Sequence, residues 1–179
     1  MNILMRNEET TDTSIYTDGS AFSNPSRGGF ASVIVQGSHQ QRISGGFLET
    51  TSMRMELTAV VVALEHLTQR CKVRLVTDCR ILQRAVEEDY FNRWVNMGWM
   101  KNDRFPVSNH DLWRRFQVCL GQHQVRLACI ASRSPDLFMR FVHLEAGRAA
   151  LRSGLPLDPG FNSRLNEART RTELELRSF

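Results

Sequence analysis

The chain lacks any long hydrophobic run. None of its 179 residues lies in a window approaching 18 consecutive apolar positions, so no membrane-spanning helix is expected. The first 13 residues are polar and hold no apolar signal core, which points to a cytoplasmic protein without membrane contact. Cysteine is sparse, and Cys71, Cys79, Cys119 and Cys129 show no C-x-x-C spacing. Their places in or beside apolar runs suit small core residues in a reducing compartment better than a metal knuckle or a disulfide frame. Charge of neither sign dominates: the net value is +4 and the pI about 9.2, a mild bias towards an anionic partner such as nucleic acid. Hydrophobic content of 41% and charged content of 23% are ordinary for one soluble domain able to bury a sizeable core.

What is present falls into three parts. Residues 1–12 show no periodicity and read as a flexible leader, 13–152 as the folded domain, and 153–179 as a polar C-terminal extension. Within the extension, 167–176 suggest a short amphipathic helix with too few apolar residues to fold alone, and a protein partner is a natural contact for it. The domain opens with strand-like segments at 14–18, 30–36 and 41–47, with Gly37-Ser38 as a hairpin turn between the last two. Asn24-Pro25 and Gly28-Gly29 mark the loop after the first strand. Met55, Ala59, Val62, Ala63, Leu64 and Leu67 then recur at helical spacing over 55–70, and 73–77 is a compact apolar strand, a unit that favours parallel pairing. Short helices are expected at 81–86 and 92–98, a loop at 98–109, a helix at 111–120 capped by Asn109 or Asp111, a strand at 125–130 and a last helix at 138–151. The class is α/β.

Three acids sit at element edges. Asp18 closes the first strand, Glu56 falls in the first turn of the following helix, and Asp78 ends the strand 73–77. Sites in open α/β sheets form at the carboxyl ends of parallel strands, and clustered carboxylates are what a hard divalent cation needs. Each acid also has a plainer reading: Asp18 begins a turn, Glu56 favours a helix N-terminus, and Asp78 caps the next helix. Spacing alone does not separate the two.

The residues do more than cluster. Tyr16-Thr17-Asp18-Gly19-Ser20, Arg54-Met55-Glu56-Leu57 and Thr77-Asp78 closely resemble ribonuclease H type 1, the bacterial ribonuclease HI group. The likeness continues through Trp94, Gly98-Trp99, Asp111-Leu112-Trp113 and Leu120-Gly121-Gln122-His123-Gln124, and covers roughly residues 14–151. It implies a five-stranded mixed sheet, an antiparallel meander plus parallel strands, flanked by helices. It also implies a divalent-metal-dependent endonuclease, with two Mg²⁺ or Mn²⁺ ions, that cleaves the RNA strand of RNA/DNA hybrids. On that pattern Asp18, Glu56 and Asp78 are catalytic and metal-holding. The family's fourth acid falls at His143, and Arg133 stands where its mobile histidine is usual. An Asp-Glu-Asp-His site of attenuated activity is therefore implied, by a monomer.

Substrate contacts carried over from the resemblance are Gly19, Asn24, Thr51, Ser52, Arg80, Trp94, Trp99 and Arg133. Several depart from the family. Ser52 and Met53 replace two asparagines and Arg80 a glutamine, which removes amides able to read 2′-hydroxyls and base edges. Glu87-Glu88-Asp89 and Val95-Asn96-Met97 lie in a segment that is usually basic. A catalytically inactive hybrid-binding or scaffold module is the competing reading.

Overall fold

The computed structural model describes residues 11–23, 26–102, 105–131 and 134–161. Most of the leader, Asn24, Arg133 and the helix suggested at 167–176 lie outside the described residues. The strands are β1 (Thr11–Ser23), β2 (Ser26–Gln36), β3 (His39–Leu48), β4 (Cys71–Thr77), β5 (Met100–Asn102), β6 (Phe105–Pro106) and β7 (Gln124–Cys129). The helices are α1 (Ser52–Glu65), α2 (Arg80–Glu87), α3 (Tyr90–Asn96), α4 (His110–Gln122) and α5 (Leu137–Ala150). One five-stranded mixed sheet has the order β3-β2-β1-β4-β7, antiparallel through β3, β2 and β1 and parallel from β1 to β4 to β7. Gly37 adopts φ 58° in the two-residue turn joining β2 to β3, the left-handed geometry such hairpins need.

Period-two alternation on the strands splits the core between two faces. Ile15, Ile34, Val73 and Leu75 pack with α1, α2, α3 and α4, whereas Tyr16, Val33 and Val76 pack with Met139, Val142 and Ala146 of α5. On α1, Val60 and Val61 are poor helix formers by up to about 0.7 kcal/mol each. Both are fully buried, and burial stabilises each by roughly 1.5–3 kcal/mol, so packing decides the conformation. The helix ends at Glu65 rather than near residue 70, because the chain must turn back to enter β4 at Cys71.

Four other expectations need correction. Gly28 and Gly29 lie inside β2, paired with Ala21 and Ser20, not in a loop. A Cβ on Gly29 would stand 2.2 Å from the Ala146 carbonyl oxygen, so this glycine lets α5 cross the strand at backbone contact. The segment 98–109 is not wholly a loop but contains the ribbon of β5 and β6. Asn109 precedes α4 in left-handed geometry with no side-chain cap, and Asp111 is turned to Arg54 instead. Finally, the segment after residue 152 is not all extension: Leu157 bridges to Leu48, and Asp158 is buried.

Candidate active site

Strand register brings the first two acids together. Tyr16 pairs with Val76 across parallel β1 and β4, so two residues further on Asp18 and Asp78 stand at the same height. Glu56 arrives from the other side, on the second turn of α1 rather than the first, since Thr51 is the N-cap. Gly19 makes this approach possible: a Cβ there would lie 2.1 Å from the Glu56 backbone nitrogen. Its backbone N–H favours the charged form of the Glu56 carboxyl. One oxygen from each of Asp18, Glu56 and Asp78 falls within 4.8 Å of the others.

The electrostatics are those of acids crowded out of water. Asp18 is only 4% exposed, and its Oδ2 and the Oε2 of Glu56 have no hydrogen-bond partner among the described residues. Burial first, then the Asp18 and Asp78 charges, push Glu56 up to about 9, against which the Gly19 N–H works only partly. Burial and the Asp78 charge raise Asp18 to about 6, while the His143 imidazole acts to lower it. His143 Nδ1 lies 3.4 Å from Asp18 Oδ2, and its side chain is 66% exposed on α5. The structure thus sets His143 beside Asp18, at the edge of the group formed by the three acids. The neighbouring acids do not compete for that corner: Asp136 caps α5 through the N–H groups of Phe138 and Met139, and Glu145 bonds to Ser44 and Arg152.

The remaining site candidates are spread more widely. Thr51 accepts a hydrogen bond from the Arg54 N–H, and Ser52 is exposed on the first turn of α1. Arg80 is exposed at the start of α2, just past Asp78. Trp94 and Trp99 pack against each other with ring centroids 5.7 Å apart, and Trp94 lies 5.3 Å from Trp113. Trp99 is only 8% exposed, so its indole is a core group here.

Sequence reasoning missed one buried polar cluster beside the site. Arg54, 2% exposed, donates to both oxygens of Asp158 (2.7 and 2.8 Å) and both of Asp111 (3.0 and 2.9 Å). Thr50 Oγ1 donates to Asp158 at 2.6 Å, and the N–H groups of Gly160 and Phe161 close a turn on the same carboxylate. The cluster ties the N-terminal turns of α1 and α4 to the segment after α5. Asp158-Pro159-Gly160 is a turn signature, the only local signal of it.

A mixed five-stranded sheet with three carboxylates converging where the parallel pairing of two central strands stops defines the ribonuclease H-like class of fold; β1 itself runs on past Asp18 to Ser23. The family described as RNase H matches residues 10–134, a stretch that contains Asp18, Glu56 and Asp78 and stops before α5. The chain belongs to that family of endoribonucleases, which hydrolyse phosphodiester bonds. It is 39% identical over 152 residues to the ribonuclease H of Nitratidesulfovibrio vulgaris (strain DP4), covering 85% of this chain and 97% of the relative. The ribonuclease H of Escherichia coli O127:H6 is 40% identical over 112 residues, 63% of this chain and 72% of that one. Among solved structures, LC9-RNase H1, a type 1 RNase H with the type 2 active-site motif, superposes with a TM-score of 0.70. That match has 20% identity and covers 86% of this chain and 80% of the other. A foamy viral protease-reverse transcriptase in complex with RNA/DNA hybrid gives 0.62 at 20% identity, over 79% of this chain and 20% of that one. At such identities these two likenesses bear on the fold.

Proposed function

We propose that this chain is a divalent-metal-dependent endonuclease acting on the RNA strand of RNA/DNA hybrids, with His143 standing in for a fourth acid. The observation that carries the reading is the convergence of Asp18, Glu56 and Asp78, with two buried carboxylate oxygens that accept no hydrogen bond from the described residues. Three like charges in so small a space destabilise one another unless a cation joins them. All the donors are carboxylate oxygens, the set that Mg²⁺ or Mn²⁺ takes, so the residues fit the metal the family implies. Bound as a pair, such ions lower the barrier to in-line displacement at phosphorus by stabilising charge on the attacking and leaving oxygens.

The chain's own residues supply the rest. Asp18, Glu56 and Asp78 form the cation cradle, and the Gly19 N–H favours the charged form of the Glu56 carboxyl. His143 beside Asp18 offsets negative charge when protonated, and its exposed ring is placed to take or give a proton at the edge of the site. Gly19, Asn24, Thr51, Ser52 and Arg80 would contact the hybrid, and Arg133 would neutralise a phosphate without serving as a base. With Trp99 committed to the core and acids at 87–89, hybrid affinity and turnover would be lower than a basic protrusion would give.

The test is cleavage of a labelled RNA strand in an RNA/DNA hybrid, with Mg²⁺, Mn²⁺ or chelator, by the wild type and Asp78→Asn. Metal-dependent cleavage that falls by about a hundredfold or more in the variant is expected. Hybrid binding with no cleavage above Asp78→Asn in either metal would instead make the chain a binding module. His143→Asp should raise the Mg²⁺-supported rate, because a carboxylate suits Mg²⁺ better than imidazole does. An unchanged rate would show that the position is idle.

A further inference from the structure

The α5 side of the sheet is only partly covered. α5 packs on β1, β2 and β3 and meets β4 and β7 at Val76 and Ala128, which leaves the earlier positions of those two strands exposed on this face. Alternation with the buried Tyr16 and Val76 and the partly buried Ala128 places Asp12, Ser14, Lys72, Arg74, Gln124 and Arg126 on it. These residues line an open trough of about 1040 Å³. Arg74 and Arg126 are direct cross-strand partners, and Lys72 precedes Arg74 on the same side by two residues. Like charges directly opposite one another destabilise a sheet. Yet no ion pair involves Lys72, Arg74 or Arg126 among the described residues, and Asp12 is the one acid lining the trough. Asp12 stands opposite Lys72 across β1 and β4, which leaves the Arg74 and Arg126 pair without an anion beside it among the described residues.

We propose that this basic face binds the sugar-phosphate backbone of a single strand running on from the hybrid held at the acid cluster. Three observations select that occupant. Asp18 lies on the same sheet face as the trough, and Arg74 is four residues upstream of Asp78 on one strand, roughly 13 Å away at about 3.3 Å per residue. The outward positions on β1, β4 and β7 are polar; Val35, Val73, Val125 and Leu127 also line the trough but no aromatic does, so it offers no ring to stack a base and no aromatic anchor for a peptide. What remains is phosphate recognition by guanidinium groups, which is tolerant of sequence and sensitive to salt. In addition, the segment 87–97 is acid-rich, with Arg93 turned onto the Glu88 carbonyl and the Tyr90 ring, so cationic grip has to come from another surface.

The inference rests on the nucleic-acid reading above, but it is tested by binding without cleavage, so the two can fail separately. Fluorescence anisotropy in metal-free buffer would compare a blunt hybrid with the same hybrid carrying a single-stranded overhang, across a salt series. The full chain should bind the overhang substrate more tightly, with a slope of log affinity against log salt steeper by about 2, from three contacts at about 0.7 each. Lys72→Gln/Arg74→Gln/Arg126→Gln should remove the overhang advantage and leave blunt-hybrid binding unchanged. Arg74→Lys/Arg126→Lys, which keeps the charge, should retain most of it; circular dichroism verifies folding. The proposal is overturned if the overhang adds nothing, if the triple variant keeps its benefit, or if blunt-hybrid binding falls equally. Binding of poly-glutamate that the triple variant loses, without any overhang advantage, would assign the face to an acidic peptide and overturn it too.

Discussion

Glu56 shows how far surroundings decide what a side chain is. On sequence grounds it is a helix-favouring residue in a recognisable motif; buried between Asp18 and Asp78 its carboxyl is pushed from 4.5 to about 9. Asp18 moves the same way, from 3.8 to about 6. Both folded values exceed the unfolded ones, so the native state holds protons that the unfolded chain has given up. The stabilisation is complete below the unfolded values and is lost as pH rises through about 6 for Asp18 and about 9 for Glu56. The metal-free protein should accordingly show a melting temperature that declines between about pH 5 and about pH 9, more shallowly in Glu56→Gln. A profile as steep in that variant as in the wild type would show that Glu56 is not the group responsible. The identity of the three acids was legible because the motif names them. Their protonation was not, because it depends on how closely α1 approaches β1 at Gly19, a contact between residues far apart in sequence.

At the scale of elements, periodicity located strands and helices well where one face is buried. The Gly37-Ser38 hairpin and the β4-α2 unit are examples, since turn chemistry and alternation are local properties. It failed where a residue's reason was tertiary: Gly28-Gly29 looked like a turn but serves the crossing of α5, and Asn109 looked like a cap but makes no cap bond. Asp158 is the largest such case. Its carboxylate shares Arg54 with Asp111, and hydrogen bonds from Arg54 hold the Asp111 carboxyl below its usual value although burial opposes this. Taking one partner from a buried ion pair costs about 3–5 kcal/mol, against about 0–1 kcal/mol for a surface pair. Asp158→Asn or truncation after residue 152 should therefore cost about 3 kcal/mol or more in denaturant unfolding. Glu65→Gln, which breaks the half-exposed pair with Arg115, should cost less than about 1 kcal/mol. Equal losses would contradict a structural role for the segment 155–161.

For the molecule as a whole, the resemblance implied a meander at one edge and parallel strands at the other, and the acids lie where the pairing of β1 with β4 stops, although β1 runs on to Ser23 instead of closing at Asp18. Net charge, at +4, was a poor guide. It says nothing of where the cations lie, and here the exposed ones on β4 and β7 stand apart from the acid-rich segment 87–97. His143 was placed by counting through a departure from the family pattern, and only the fold sets it 3.4 Å from Asp18. The central claim is that Asp18, Glu56 and Asp78 are one cation site. Calorimetric titration with Mn²⁺ at about pH 7.5, in two buffers of different ionisation enthalpy, tests it most directly, because a protonated Glu56 must lose its proton for the ion to bind. Saturable binding with release of about one proton, lost together in Glu56→Gln, is the predicted result. No binding, or binding that releases no proton and survives Glu56→Gln, would contradict it.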